Sequence, residues 1–214
     1  MFRHFKYKGN DKNVNQIVQF IVDYECYTLY VLLNRSSRFS STPIYAAISS
    51  LNEGKYNKAI KVLNFNANEK EELKELIATN IKDNSVAKLL MAKFFWYKDA
   101  QLKEDLMAQE LYFDKCTLEH IIPQKPKERS NWMTDFSQEF RKEYTYKLGN
   151  MTLLTHKINA TAKNFDFKVK KQAYKKTRLG MTVEITNKSS INESYILNRQ
   201  EAIVTAIYED LRLE

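Results

Sequence analysis

Glycine and proline are scarce, with 4 and 3 in 214 residues. Sandwiches and barrels of many short strands need frequent turn residues, so this scarcity argues against an all-β fold and against a Pro/Gly-rich disordered linker. Cysteine is scarce too. Cys26 and Cys116 stand far apart with no CxxC pair, which excludes a zinc ribbon, gives no disulfide framework and points to a reducing compartment. No apolar run is long enough to span a membrane: Gln16 to Leu33 is interrupted by Gln19, Asp23 and Glu25, and residues 1–10 lack the apolar core of a signal peptide. A Gly-rich phosphate loop, internal repeats and low-complexity tracts are missing as well. What remains is a cytoplasmic protein rich in helix.

Hydrophobic residues make up 43% and aromatics 13%, enough to build a core despite 28% charged residues. Val14, Ile17, Val18, Ile21, Val22 and Leu29 recur at helical spacing and predict a first long helix over residues 12–34. Ser41 and Pro43 read as a helix start, with Gly54 as its stop. Asn68 and Glu71 read as a capping box opening a helix to about Ile81, and Ser85 opens another through Phe95. Residues 1–110 are thus expected to be all-helical, with Phe94, Phe95, Trp96 and Tyr97 serving the core. From Cys116 the pattern changes. Cys116 to Ile122 alternates up to Pro123, and Met151 to Thr155 follows the turn Leu148-Gly149-Asn150. The expected order is strand, long loop, strand, and a helix from about Asn159. The loop, Gln124 to Tyr146, is expected to cover the core through Trp132 and Phe136.

The formal charge of +8 is concentrated. Between His156 and Gly180 it is +7, from Lys157, Lys163, Lys168, Lys170, Lys171, Lys175, Lys176 and Arg178 against Asp166. Charge alone leaves a solvated lysine-rich face and a nucleic-acid-binding face equally open.

Glu119 and His120 are adjacent on the first strand, so their side chains point to opposite faces unless the strand is bulged. Asn150 sits at a turn, where an amide can bond a backbone group and brace the neighbouring strand. Asn159 follows near the start of the next helix. A carboxylate and an amide oxygen are hard ligands for Mg²⁺ or Mn²⁺, and a neutral histidine beside them can take a proton from water. Those are parts for hydrolysing a phosphodiester. His156 and His4 read as surface histidines, and Cys116 as a small buried residue.

Three ordered motifs, Leu118-Glu119-His120-Ile121-Ile122-Pro123-Gln124, then Leu148-Gly149-Asn150-Met151-Thr152-Leu153-Leu154, then Asn159 with Lys163, Asn164, Phe167, Lys170 and Tyr174, resemble the HNH (His-Me finger, ββα-metal) nuclease domain. The subgroup they are most similar to is the C-terminal domain of GmrSD-type modification-dependent restriction enzymes and their phosphorothioate-sensing relatives. The resemblance implies an α+β, mainly helical chain: a helical connector over 1–113, an HNH ββα-metal core over 114–180 and a C-terminal helical extension over 181–214. It implies a metal-dependent DNA endonuclease or nickase of anti-phage defence that leaves 5′-phosphate and 3′-hydroxyl ends. His120 would be the general base and Asn150 would brace it. Glu119 and Asn159 would hold one divalent ion, Mg²⁺ or Mn²⁺. Lys163, Asn164, Lys170 and Lys171 would contact DNA. An NTPase-like sensor, as a preceding domain or a separate subunit, would be the partner. Glu119 stands where many HNH enzymes have Asp, one methylene farther out. Two alternatives stay open: a non-catalytic DNA-binding or docking module that keeps the ββα shell, and a free-standing HNH toxin or homing-type nuclease.

Overall fold

The computed structural model describes residues 12–34, 42–63, 65–98 and 114–213. The described residues form eleven α-helices and one two-stranded antiparallel sheet, an α+β and mainly helical architecture. None of these helices is long and apolar enough to cross a membrane. The chain divides into two compact units, Met1–Leu76 with Leu211–Glu214, and Ile77–Asp210.

The first unit contains α1 (Lys12–Asn34), α2 (Thr42–Asn52), α3 (Tyr56–Leu63) and most of α4 (Ala67–Ala78). The buried seam of α1 differs from the aliphatic stripe expected. Val22 and Leu29 are buried, but so are Asp23, Cys26, Tyr27 and Tyr30, while Ile17 is exposed. Polar and aromatic residues sit on that seam because their polar groups find partners. Asp23 accepts from Gln19 Nε2 at 2.9 Å, and the Tyr30 hydroxyl donates to Glu72. The ring of Tyr30 meets Phe65 edge-on at 5.4 Å. Pro43 lies in the first turn of α2, and Gly54, at φ +71°, follows its end in a conformation glycine adopts without steric cost. Ser41 lies outside the described residues.

Two helix starts lie two residues upstream of their predicted caps. The box that opens α4 is Asn66 with Glu69, each side chain accepting from the other's backbone N–H, at 3.0 and 2.9 Å. The same Asn-x-x-Glu spacing recurs at Asn68 and Glu71, so sequence alone could not separate the two frames. Similarly, Asp83 caps α5 (Asn84–Lys98), its carboxylate accepting from Ser85 N at 2.9 Å and Val86 N at 3.2 Å.

In the second unit β1 (Cys116–His120) pairs with β2 (Met151–Thr155), Cys116 opposite Thr155 and His120 opposite Met151. Phe94 and Phe95 are buried on α5, which packs against both strands. Between the strands the chain forms α6 (Asn131–Asp135) and α7 (Gln138–Tyr144), and a 3₁₀ turn over Leu148–Asn150. Trp132 and Phe136 are 2% exposed and close one side of the core, with Trp132 Nε1 donating to Phe165 O at 3.0 Å. After β2 come α8 (His156–Ala162), α9 (Phe167–Tyr174), α10 (Gly180–Ile185) and α11 (Glu193–Leu211). The first of these begins three residues before the expected Asn159. Ile121, Leu154, Tyr174 and Ile196 are fully buried in one cluster. Each such side chain contributes about 1.5–3 kcal/mol relative to exposure. Thr152 and Thr182 share a buried hydroxyl bond of 2.7 Å that ties α10 to β2.

Candidate active site

Strand pleating sends the adjacent side chains of Glu119 and His120 to opposite faces, and the surroundings of each follow from that. The Glu119 side turns inward. Its Oε1 accepts from Lys170 Nζ at 2.7 Å and from the Tyr174 hydroxyl at 2.9 Å, both on α9. Glu119 is 5% exposed and Lys170 1%. Burial pushes the Glu119 carboxyl up and the Lys170 ammonium down, while their mutual attraction opposes both shifts. The Tyr174 hydroxyl is held well above its ordinary value by burial and then by the neighbouring carboxylate.

His120 looks the other way and is half-buried at the end of β1. Its ring meets Tyr146 edge-on at 6.2 Å, and its Nε2 lies 3.2 Å from Gln124 Nε2. An amide nitrogen only donates, so the imidazole nitrogen facing it accepts. Burial, and then the positive charge of Lys170, push the His120 imidazole down to about 4. It is therefore neutral at physiological pH, the state a proton acceptor needs.

The backbone just beyond His120 is fixed by Asn150, which is fully buried. Asn150 Oδ1 accepts from Ile122 N at 2.7 Å, Nδ2 donates to Ile122 O at 3.0 Å, and the Asn150 carbonyl accepts from Ile121 N at 2.8 Å. The turn carrying Asn150 is held in its own right. Arg199 Nη1 on α11 donates to the carbonyls of Leu148, Gly149 and Met151, at 3.2, 2.9 and 2.6 Å. Gln200 Oε1 accepts from Gly149 N at 2.6 Å. A Cβ on Gly149 would lie 2.6 Å from Ile196 O and 2.8 Å from Gln200 N, so only glycine lets α11 approach this closely.

Asn159 on α8 uses its amide nitrogen twice, to Thr117 Oγ1 and to Leu118 O, each at 2.9 Å. The helix is thereby fastened to β1, and the amide oxygen is the atom left for a ligand. Lys163 ends α8 at φ +41°; it and Asn164 are exposed. Lys171 is half-buried, its Nζ donating to Lys188 O at 2.7 Å. Lys168, Lys175, Lys176 and Arg178 are exposed, as is His156.

Set beside the expectations, this geometry gathers Asn150 and His120 into one unit and ties Asn159 to the same strand. It gives Glu119 and Lys170 other partners. Lys170, expected to face DNA, is buried and bonded to Glu119 and to the His120 carbonyl, because the interior carboxylate draws the ammonium inward. Glu119, expected to hold a metal, is already neutralised by that ammonium. A divalent ion placed on its carboxylate would lie beside an ammonium within hydrogen-bond distance of the same oxygen, so the Glu119 and Asn159 pair does not fit a divalent cation in this arrangement. Among the described residues there is no cluster of three His, Cys, Asp or Glu side chains able to hold a metal. The roles of Arg199 and Gln200 are not legible in the sequence, because a lone arginine followed by glutamine on an amphipathic helix looks like any solvated pair. A glycine in the turn before β2 was the one local sign that another element comes close.

An antiparallel strand pair, followed at once by a helix, frames a buried asparagine clamp beside a neutral histidine; with the surrounding helices this defines an α+β domain with one compact polar site. The chain belongs to the family described as GmrSD restriction endonucleases, C-terminal domain, which it matches over residues 67–206. That is a family of restriction-type nucleases. No curated protein matches the sequence.

Proposed function

We propose that the chain is a DNA endonuclease or nickase of a restriction and anti-phage defence system, with residues 114–180 as its HNH-type core. The observation that carries this reading is the two-way bond between Asn150 and Ile122, which fixes the backbone next to a neutral, accepting His120 imidazole. His120 takes a proton from water, the hydroxide formed attacks phosphorus, and the bond to the 3′ oxygen breaks as that oxygen takes a proton from solvent, leaving 5′-phosphate and 3′-hydroxyl ends; the imidazolium then returns its proton to solvent. The surplus of +7 between His156 and Gly180 supplies the electrostatic attraction for a phosphate backbone, with Lys163, Asn164 and Lys171 as contact candidates. Mg²⁺ or Mn²⁺ remains part of the proposal through the family resemblance, with no step assigned to it. An NTPase-like sensor, domain or subunit, is the proposed partner and the cytoplasm the proposed compartment.

Supercoiled plasmid, with Mg²⁺ or Mn²⁺ and with EDTA, provides the test. Nicking or linearisation that falls at least about 100-fold in His120→Ala is expected, in line with the usual contribution of a general base. Undiminished cutting by that variant would remove the mechanism. One observation favours a second reading: the Glu119 carboxylate is occupied by Lys170. A non-catalytic DNA-binding module would keep such a pair, bind DNA with steep salt dependence, and cut under no metal condition.

A further inference from the structure

Lys170 does more than neutralise Glu119. Its ammonium donates to the Glu119 carboxylate and, with a second hydrogen, to the backbone carbonyl of His120. The Tyr174 hydroxyl donates to the same carboxylate oxygen. Lys170 and Tyr174 are four residues apart on α9, so one turn of helix presents both groups side by side. The three side chains are 1%, 0% and 5% exposed for Lys170, Tyr174 and Glu119, and every bond they make ends on one another or on the His120 backbone. Asn150 grips the chain two residues beyond His120; this cluster grips it at His120 and one residue before.

We propose that Lys170 and Tyr174 are positioning residues that hold the His120 backbone through Glu119, and that the Glu119 carboxylate is their interior partner and not a metal ligand. The inference concerns the site whose role was proposed above and rests on that reading for its link to catalysis. Its structural content stands apart from it. A buried ammonium is costly unless paired, and here the pair supplies the orientation of the strand end that carries the imidazole. A lysine reaching for phosphate would instead lie at the surface, as Lys163 does.

The test uses the full chain with ring ¹³C-labelled histidine. Three ring signals are expected, since the sequence has 3 histidines, and His120→Gln identifies the one that matters. Lys170→Met and the milder Tyr174→Phe should each shift the His120 signal and leave those of His4 and His156 in place. In the plasmid assay Lys170→Met should lower kcat by about 10- to 100-fold with KM for DNA and its salt dependence unchanged, as for other residues that orient a reacting group. A raised KM with a shallower salt dependence would make Lys170 a phosphate contact and overturn the proposal. So would a His120 signal unmoved in Tyr174→Phe and Lys170→Met alike, or a Glu119→Gln variant that loses Mn²⁺ affinity, by titration with the metal alone, that Lys170→Met keeps. If His120→Gln still cuts plasmid, the catalytic reading fails while the ring signals still decide the positioning claim.

Discussion

The side chain of Asn150 and the backbone of Ile122 bond each other in both directions, acceptor to N–H at 2.7 Å and donor to carbonyl at 3.0 Å, with Asn150 wholly out of contact with solvent. An amide is the one neutral side-chain group that offers a donor and an acceptor in this parallel arrangement, so it copies the pairing of a third strand at the place where β1 has ended. Asn150→Ala would leave both Ile122 groups without partners in a buried setting. A loss of about 2–6 kcal/mol in unfolding free energy is expected, from about 1–3 kcal/mol for each of the two orphaned groups. Urea unfolding measures it. Asn150→Asp keeps the acceptor but loses the donor and buries a carboxylate against the Ile122 carbonyl, so at neutral pH it should be at least as destabilising as Asn150→Ala.

Gly149 is constrained by a different element. Any Cβ there meets the backbone of α11, a carbonyl oxygen and an amide nitrogen, neither of which can rotate away. Gly149→Ala should therefore destabilise by about 1–3 kcal/mol, the usual range for overpacking a closed contact. Because the same turn carries Asn150, plasmid cutting should also fall more than the stability loss explains when assayed well below the melting temperature. An alanine variant as stable as the parent in thermal unfolding would show that α11 does not press on this turn.

These two positions also show what could be read from sequence. The order strand, long loop, strand, helix was legible because Cys116 to Ile122 alternates up to Pro123 and Met151 to Thr155 follows the turn Leu148-Gly149-Asn150, and a backbone bond from Asn150 was legible because a turn amide readily bonds a neighbouring backbone group. The helix frames near residues 66 and 84 start two residues before the caps the sequence predicts, because Asn-x-x-Glu occurs twice in six residues and because an aspartate, Asp83, stands two residues before Ser85. The fate of Lys170 was not legible. Its position among seven other basic residues gave it the look of a surface lysine, and only the third dimension brings the Glu119 carboxylate under it. Arg199 was hidden for the same reason in reverse: its three carbonyl partners belong to a turn some fifty residues earlier.

The pH dependence of cutting follows from the His120 imidazole, which is pushed down to about 4, first by burial and then by Lys170. In the proposed mechanism the neutral ring is the base, so the acid limb of kcat/KM should lie near pH 4, not near the ordinary histidine value of about 6.5. Stability moves in a definite direction too. Between those two values the unfolded chain has protonated this histidine and the folded chain has not, so the unfolded state binds more protons and stability falls as pH drops through that window. Below about 4 both states carry the proton and the effect stops growing. His120→Gln should reduce this part of the slope, as measured by denaturant midpoints from pH 7 to pH 4.

Lys163 offers a substitution with two opposite effects. It ends α8 at φ +41° and ψ −142°, a conformation that burdens any side chain bearing a Cβ and that glycine adopts freely. Its side chain is exposed, at the start of the segment holding most of the positive charge. Lys163→Gly should thus raise unfolding free energy, by about 1 kcal/mol, while weakening DNA binding through loss of one phosphate contact. The binding loss should be uniform across DNA sequences and should make the slope of log K against log salt shallower by about 1, since one fewer counterion is released. Lys163→Ala separates the two contributions, because it removes the charge and keeps the strain. Equal salt slopes for parent, Ala and Gly variants would place Lys163 outside the DNA interface while leaving the predicted gain in stability to be judged on its own measurement.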